Sequence, residues 1–271
     1  MTRGTCVALH RSMAAILASP VSRIHASWTN GDTLRGAAVA VAAALVCGCN
    51  HEVYSPPSRM LPLESAATLA TGETGLQLEG GAHGAIFGVS GESGTLRVRH
   101  GAWDKTDLSG EVSVMHVDGN SVANTYPYLF AGRAGVKREV LSWLSLTGGL
   151  GGGASAGGGF FNPDLGVIVA YENPYAVPFL TVRGGVSVPF DTHPVDTGMA
   201  GSDPVGKYVY TPPLTWMAGG VLGLRVPLGW CDPSPCPVRG SLLGGIGLTD
   251  LAYQGSGAGV LSLAGGGEIV F

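Results

Sequence analysis

The chain is poor in charge. Only 13% of its 271 residues are Asp, Glu, Lys or Arg, where a water-soluble enzyme of this length carries about 25%. Much of its surface therefore does not face water. Long apolar runs are scarce too: outside the N-terminal region no stretch of 18 or more apolar residues exists, which excludes a bundle of membrane helices. Basic residues are few, and from Cys49 onward the 11 Lys+Arg and 18 Asp+Glu leave a net charge of −7. Nucleic-acid binding needs a basic face and is excluded. No spacing of His, Cys and Asp forms a metal site, and no cofactor motif is present. The glycine tract 148–159 lacks the Gly-Lys-Ser/Thr ending of a phosphate loop.

What is abundant is glycine, 45 residues, and alternation. Low charge without long apolar runs is reconciled if apolar residues occupy every second position of strands. Ten such segments follow one another between turn signals: 75–88, 94–102, 107–117, 127–137, 140–152, 164–172, 177–190, 213–228, 238–250 and 258–271. One register carries Leu76, Leu78, Leu96, Val98, Val112, Val114, Leu180, Val182, Leu222 and Leu224. The other carries Gln77, His83 and Thr181 with the charges Glu79, Arg97, Arg99, Glu111, Arg133, Arg183, Arg225 and Glu268. Alternation alone does not tell inside from outside; if the strands span a membrane, where a charge facing lipid costs about 2–4 kcal/mol for Arg or Lys, the charged register lines a lumen.

The final strand runs Leu261, Leu263, Gly265, Gly267, Ile269, Phe271 in its apolar register. This terminal aromatic resembles the C-terminal signature of bacterial outer-membrane β-barrels, where the assembly machinery reads the last strand. The resemblance implies an all-β fold: an antiparallel up-and-down transmembrane barrel over 74–271 of about ten strands, with eight as the alternative. It implies outer-membrane lipids and the barrel-assembly machinery as partners. With the termini periplasmic, connections 118–126, 153–164 and 191–212 fall outside, and 137–139 and 172–176 inside. Trp103, Tyr126, Tyr128, Tyr171, Tyr175, Phe190, Tyr210, Trp230 and Tyr253 are expected in interfacial girdles.

Upstream, Arg35 and the stretch 36–49 read as a secretion signal, so 34–48 is expected to be a signal peptide and 1–33 an extension outside the true start. Val46-Cys47-Gly48-Cys49 resembles a lipobox, which implies lipidation of Cys49. Residues 49–73 then read as the anchor site and a periplasmic linker. Cys231 and Cys236, in a proline-rich loop, are expected to form a disulfide in an oxidising compartment.

The activity is less legible. The leading expectation is a non-enzymatic structural or surface-interaction protein, with a ligand at the 191–212 loop. A narrow, porin-like channel for small solutes is the first alternative, and a surface hydrolase the second. Asp191-Thr-His193 resembles the Asp-x-His pair of the omptin proteases, but the second acidic pair of that family is missing. His83, His100 and His116, with Ser109 and Ser113, are the remaining candidates for a Ser–His pair.

Overall fold

The structure, a computed structural model, describes residues 55–85, 90–118, 128–155, 157–193, 195–196, 209–228, 238–253 and 256–271. Signal, lipobox, Cys49, Cys231 and Cys236 lie outside these residues.

The described residues form twelve strands: β1 (Thr74–Ala85), β2 (Ser90–Trp103), β3 (Thr106–Asp118), β4 (Tyr128–Leu141), β5 (Leu144–Ser155), β6 (Gly158–Ala170), β7 (Val177–Phe190), β8 (Val195–Asp196), β9 (Val209–Tyr210), β10 (Thr215–Leu228), β11 (Arg239–Tyr253) and β12 (Ser256–Val270). Ten of them close into one antiparallel barrel, with β1 zipped to β12 from Gly75↔Val270 to Ala85↔Val260. The short β8 and β9 pair only with each other, as a ribbon within the β7–β10 connection.

The alternation sets which face is which. Leu78, Leu165, Leu222 and Leu263 point outward and are more than 60% exposed, while Gln77, Arg97 and Thr181 of the opposite register are almost fully enclosed. A water-soluble barrel buries its leucines; this one inverts that arrangement. Exposed aromatics ring both rims. Trp103, Trp143, Tyr171, Tyr175 and Phe271 lie at the rim where β1 begins and β12 ends, here the terminal rim. Tyr128, Phe130, Phe161, Phe190 and Trp216 lie at or near the opposite, loop rim. Tyr253 is not in a girdle: it is inward and buried, because it shares the register of Leu251.

Two expected turns are strand. The charged run 137–139 continues β4, and the hairpin turns at Ser142-Trp143 instead, with Leu141 opposite Leu144. Lys137 points inward to backbone carbonyls and Arg138 outward to the Asp104 carbonyl and Thr106, so both charges are satisfied within the strand. The 153–164 loop is likewise absent. Gly151–Gly153 pair with Phe160–Asn162, and the ladder continues to Ser155 opposite Gly158. Glycine carries no side chain to reveal its register, which is why this ladder reads as a loop.

The largest departure is the expected periplasmic linker. Residues 55–72 do not hang outside the barrel; they run through it. Leu61, Leu63 and Ala66 pack against inward Ile168, Phe179, Val221 and Leu243. The turn that leads from this inner strap into β1 is closed by Glu73 N–H donating to Ala70 O at 3.0 Å. Its third residue, Gly72, has φ +91°, which suits a type II turn.

Candidate functional site: the plugged lumen

Strand pairing builds the lumen from the sequence. On one cross-strand row Glu268 faces Gln77, Gln77 faces Arg97, Arg97 faces Glu111 and Glu111 faces Arg133. Opposite charges therefore meet on neighbouring strands. An eight-stranded barrel is just filled by its own side chains. Here ten strands enclose a wider space, and positions 149, 151 and 153 of β5 and 245 and 247 of β11, all inward, are glycines. A side chain at Gly151 or Gly247 would collide with Ser58 or Leu61 of the strap. The vacated space is occupied by a single extended chain.

A buried extended chain must satisfy its backbone polar groups. Pro56, Pro57 and Pro62 have no N–H to satisfy. Lumen side chains serve several of the remaining groups. Ser187 donates to Pro56 O at 2.8 Å, Ser113 to Ser58 O at 3.2 Å and Arg183 to Arg59 O at 2.7 Å. Gln77 donates to Leu63 O at 2.9 Å, Ser145 to Ala66 O at 2.6 Å and Lys137 to Ala67 O at 2.6 Å. In the other direction, Ser58 N–H donates to Asn162 Oδ1 at 3.2 Å and Leu69 N–H to Asp107 Oδ1 at 2.8 Å.

The strap also brings charge. Arg59 reaches Glu64 at 2.5 Å, Glu79 at 2.9 Å and Glu111 at 3.3 Å. Arg97 reaches the same three at 3.0, 3.4 and 3.3 Å, and Arg133 joins Glu111 at 2.9 Å to Asp164 at 2.7 Å. Nearer the terminal rim, Arg99 bridges Glu268 at 2.6 Å and Asp107 at 2.7 Å, with Lys137 3.5 Å from Asp107. Arg225 lies 3.9 Å from Glu268.

All eight charges read from the sequence as lumenal therefore sit in the interior: Glu79, Arg97, Arg99, Glu111, Arg133, Arg183, Arg225 and Glu268. Sequence reasoning missed Arg59 and Glu64, assigned to a linker, Lys137, assigned to a turn, and Asp107 and Asp164. The available signal was volume: Gly151, Gly245 and Gly247 leave inward space, which Ser58, Leu63 and Leu61 of the strap occupy. With the missed groups included, seven cations face six carboxylates, so the excess of two cations among the eight alone falls to one.

Asn162 of β6 mends the wall and is held by the strap. Pro163 lacks the N–H that would donate across to β7, and the β6–β7 ladder skips from Phe161↔Val188 to Asp164↔Gly185. The Asn162 side chain donates to Val186 O at 2.8 Å instead, while its Oδ1 accepts from Ser58.

The histidine candidates are dispersed. His83 lies in the lumen between Ser262 (2.8 Å) and Ser93 (2.6 Å), beside the strap. His100 is at the terminal rim, 3.2 Å from Thr74 Oγ1, and His116 packs on Tyr128 on the outer face with ring centroids 5.2 Å apart. His193 donates its backbone N–H to Gly157 O at 2.9 Å. Among the described residues, no group of three or more His, Cys, Asp or Glu is placed to hold a metal ion.

No protein-family model matches the chain, and no curated protein matches it. Solved structures similar to it include Neisserial surface protein A, at 8% identity and a TM-score of 0.35, covering 73% of this chain and 94% of that one. An outer-membrane channel from Pseudomonas putida F1 has 11% identity and a TM-score of 0.38, covering 79% and 100%. The translocator domain of the autotransporter NalP from Neisseria meningitidis has 11% identity and a TM-score of 0.32, covering 88% and 95%. Such scores carry neither kinship nor function to this chain. Its own geometry is decisive for the fold: apolar girdled exterior, charged interior and ten paired strands make an antiparallel up-and-down transmembrane β-barrel, closed and internally plugged.

Proposed function

We propose that this protein is a closed barrel of the Gram-negative outer membrane, with a non-enzymatic structural or surface-interaction role rather than a transport role. One observation carries the reading: the lumen is filled from rim to rim by residues 55–72, held by hydrogen bonds and a near-balanced network of ion pairs. A solute path would have to break that network, and a buried charge left unpaired is costly.

The orientation follows from loop length. Strand ends leave connections of 104–105, 142–143, 171–176 and 229–238 at the terminal rim, against 86–89, 119–127, 156–157, 191–214 and 254–255 at the other; 229–238 is long for its side, but 191–214 is by far the longest. Short turns face the periplasm and long loops the exterior in such barrels. That orientation puts Phe271, exposed at the terminal rim, on the periplasmic side, where the assembly machinery would meet it. The β8–β9 ribbon stiffens the base of the 191–214 loop, the natural place for an extracellular ligand.

Planar-bilayer recording of the purified protein is the test. The proposal expects conductance no greater than that of an empty bilayer. Reproducible single-channel steps from the native chain would refute it and favour the narrow channel.

A further inference from the structure

We infer that the inner strap is a through-lumen thread that delivers the N-terminal side of the chain to the loop rim, opposite the C-terminus. A barrel with an even number of strands begins and ends on one side, and Thr74 and Phe271 do so here, exchanging backbone hydrogen bonds at 2.8 and 2.9 Å. The strap reverses the position of everything before it. Its contacts descend in strict order. Ser55 is bonded to Pro213 O and Thr215 Oγ1 at 2.9 and 3.1 Å, beside the β7–β10 loop. Ser58 meets Asn162, Arg59 meets Glu79 and Glu111, and Leu63 meets Gln77. Ala66 and Ala67 meet Ser145 and Lys137, Leu69 meets Asp107, and Gly72 N–H donates to Gly101 O at the terminal rim.

The contacts are specific along the whole path, so the thread is a fixed structural element. Its function is display: a segment upstream of Ser55 shares a side with the 191–214 loop. An extended chain spans at most about 3.6 Å per residue, so the six residues that separate Cys49 from Ser55 give a reach of at most about 22 Å from that rim. A lipid on Cys49 would then enter the leaflet on the loop side. With the orientation proposed above, on which this last step rests, that is the cell surface.

Two protease-cleavable epitopes test it, one inserted immediately ahead of Ser55 and one within 197–207, each in protein that keeps its heat-modifiable mobility on gels. Protease is added to intact and to permeabilised cells. Loss of both epitopes on intact cells is the expected result. Loss of both only after permeabilisation supports the thread and overturns the orientation. Loss of the loop epitope alone on intact cells overturns the thread and leaves the orientation standing. Loss of the upstream epitope alone overturns both. Should the insertions prevent folding, a Ser58→Cys/Asn162→Cys pair gives a second readout. A disulfide forming on mild oxidation supports the thread, and two free thiols in a folded barrel overturn it.

Discussion

Arg59→Ala is the sharpest perturbation of the plug. Arg59 holds Glu64, Glu79 and Glu111 from within the strap, at 2.5–3.3 Å. Removing one partner of a buried ion pair costs about 3–5 kcal/mol. Here Arg97 still touches all three carboxylates and Arg133 still touches Glu111, so none is orphaned. Six cations would then face six carboxylates, which adds no net charge to the interior. The cost should fall at the low end, about 3 kcal/mol, which is about two decades in an equilibrium. It should fall on strap release, because the ten ladders that hold the barrel are untouched. The expected phenotype is a folded, heat-modifiable barrel with intermittent conductance and a strap about 100-fold more open to protease. Lys105→Ala, which breaks a half-exposed pair with Glu139, is the control and should change nothing measurable. An Arg59→Ala protein as silent and protease-resistant as the native one would refute the idea that ion pairs hold the plug.

Three further expectations concern the wall and the strap's ends. Val182→Arg places a charge midway along β7 on the outer face, next to Val167 and Gly220. If lipid covers that face, equilibrium unfolding from lipid vesicles should show a loss of about 2–4 kcal/mol, and a water-facing residue would show almost none. Gly72→Ala has free space around the new methyl but forces an L residue to φ +91°, so the turn into β1 should lose about 1–2 kcal/mol in the same assay. Asn162→Leu removes the donor to Val186 O and the acceptor for Ser58. It should cost about 1–3 kcal/mol, read as a lower urea midpoint for loss of the heat-modifiable form.

The outline of this fold was legible in the sequence because a two-residue period survives in most of the barrel strands. Val177–Phe190 reads directly as a strand, since its outward residues, among them Leu180, Val182 and Val188, alternate with enclosed Phe179 and Thr181. Register failed where glycine removed the pattern, at Gly148–Gly159, and where a charged run imitated a turn, at Lys137–Glu139. The strap was illegible for a different reason. Its sequence, Ser55-Pro-Pro-Ser through Gly72, has the composition of a linker, and prolines that favour a linker also suit a buried chain with few donors to satisfy. Burial of Arg59 and Glu64 depends on partners from β1, β2 and β3, contacts that no local pattern encodes. The lumenal charges were legible singly. Their pairing was not, because the partners Arg59, Glu64, Lys137 and Asp164 lay in, or at the edge of, segments read as tether, turn or loop.

The central claim is a closed transmembrane barrel with an apolar exterior. Gel mobility of the protein in an outer-membrane fraction, with and without boiling in SDS, tests it most directly. A shift on boiling, in that fraction, is the predicted result. A single mobility, with the protein soluble in the periplasm, would contradict it.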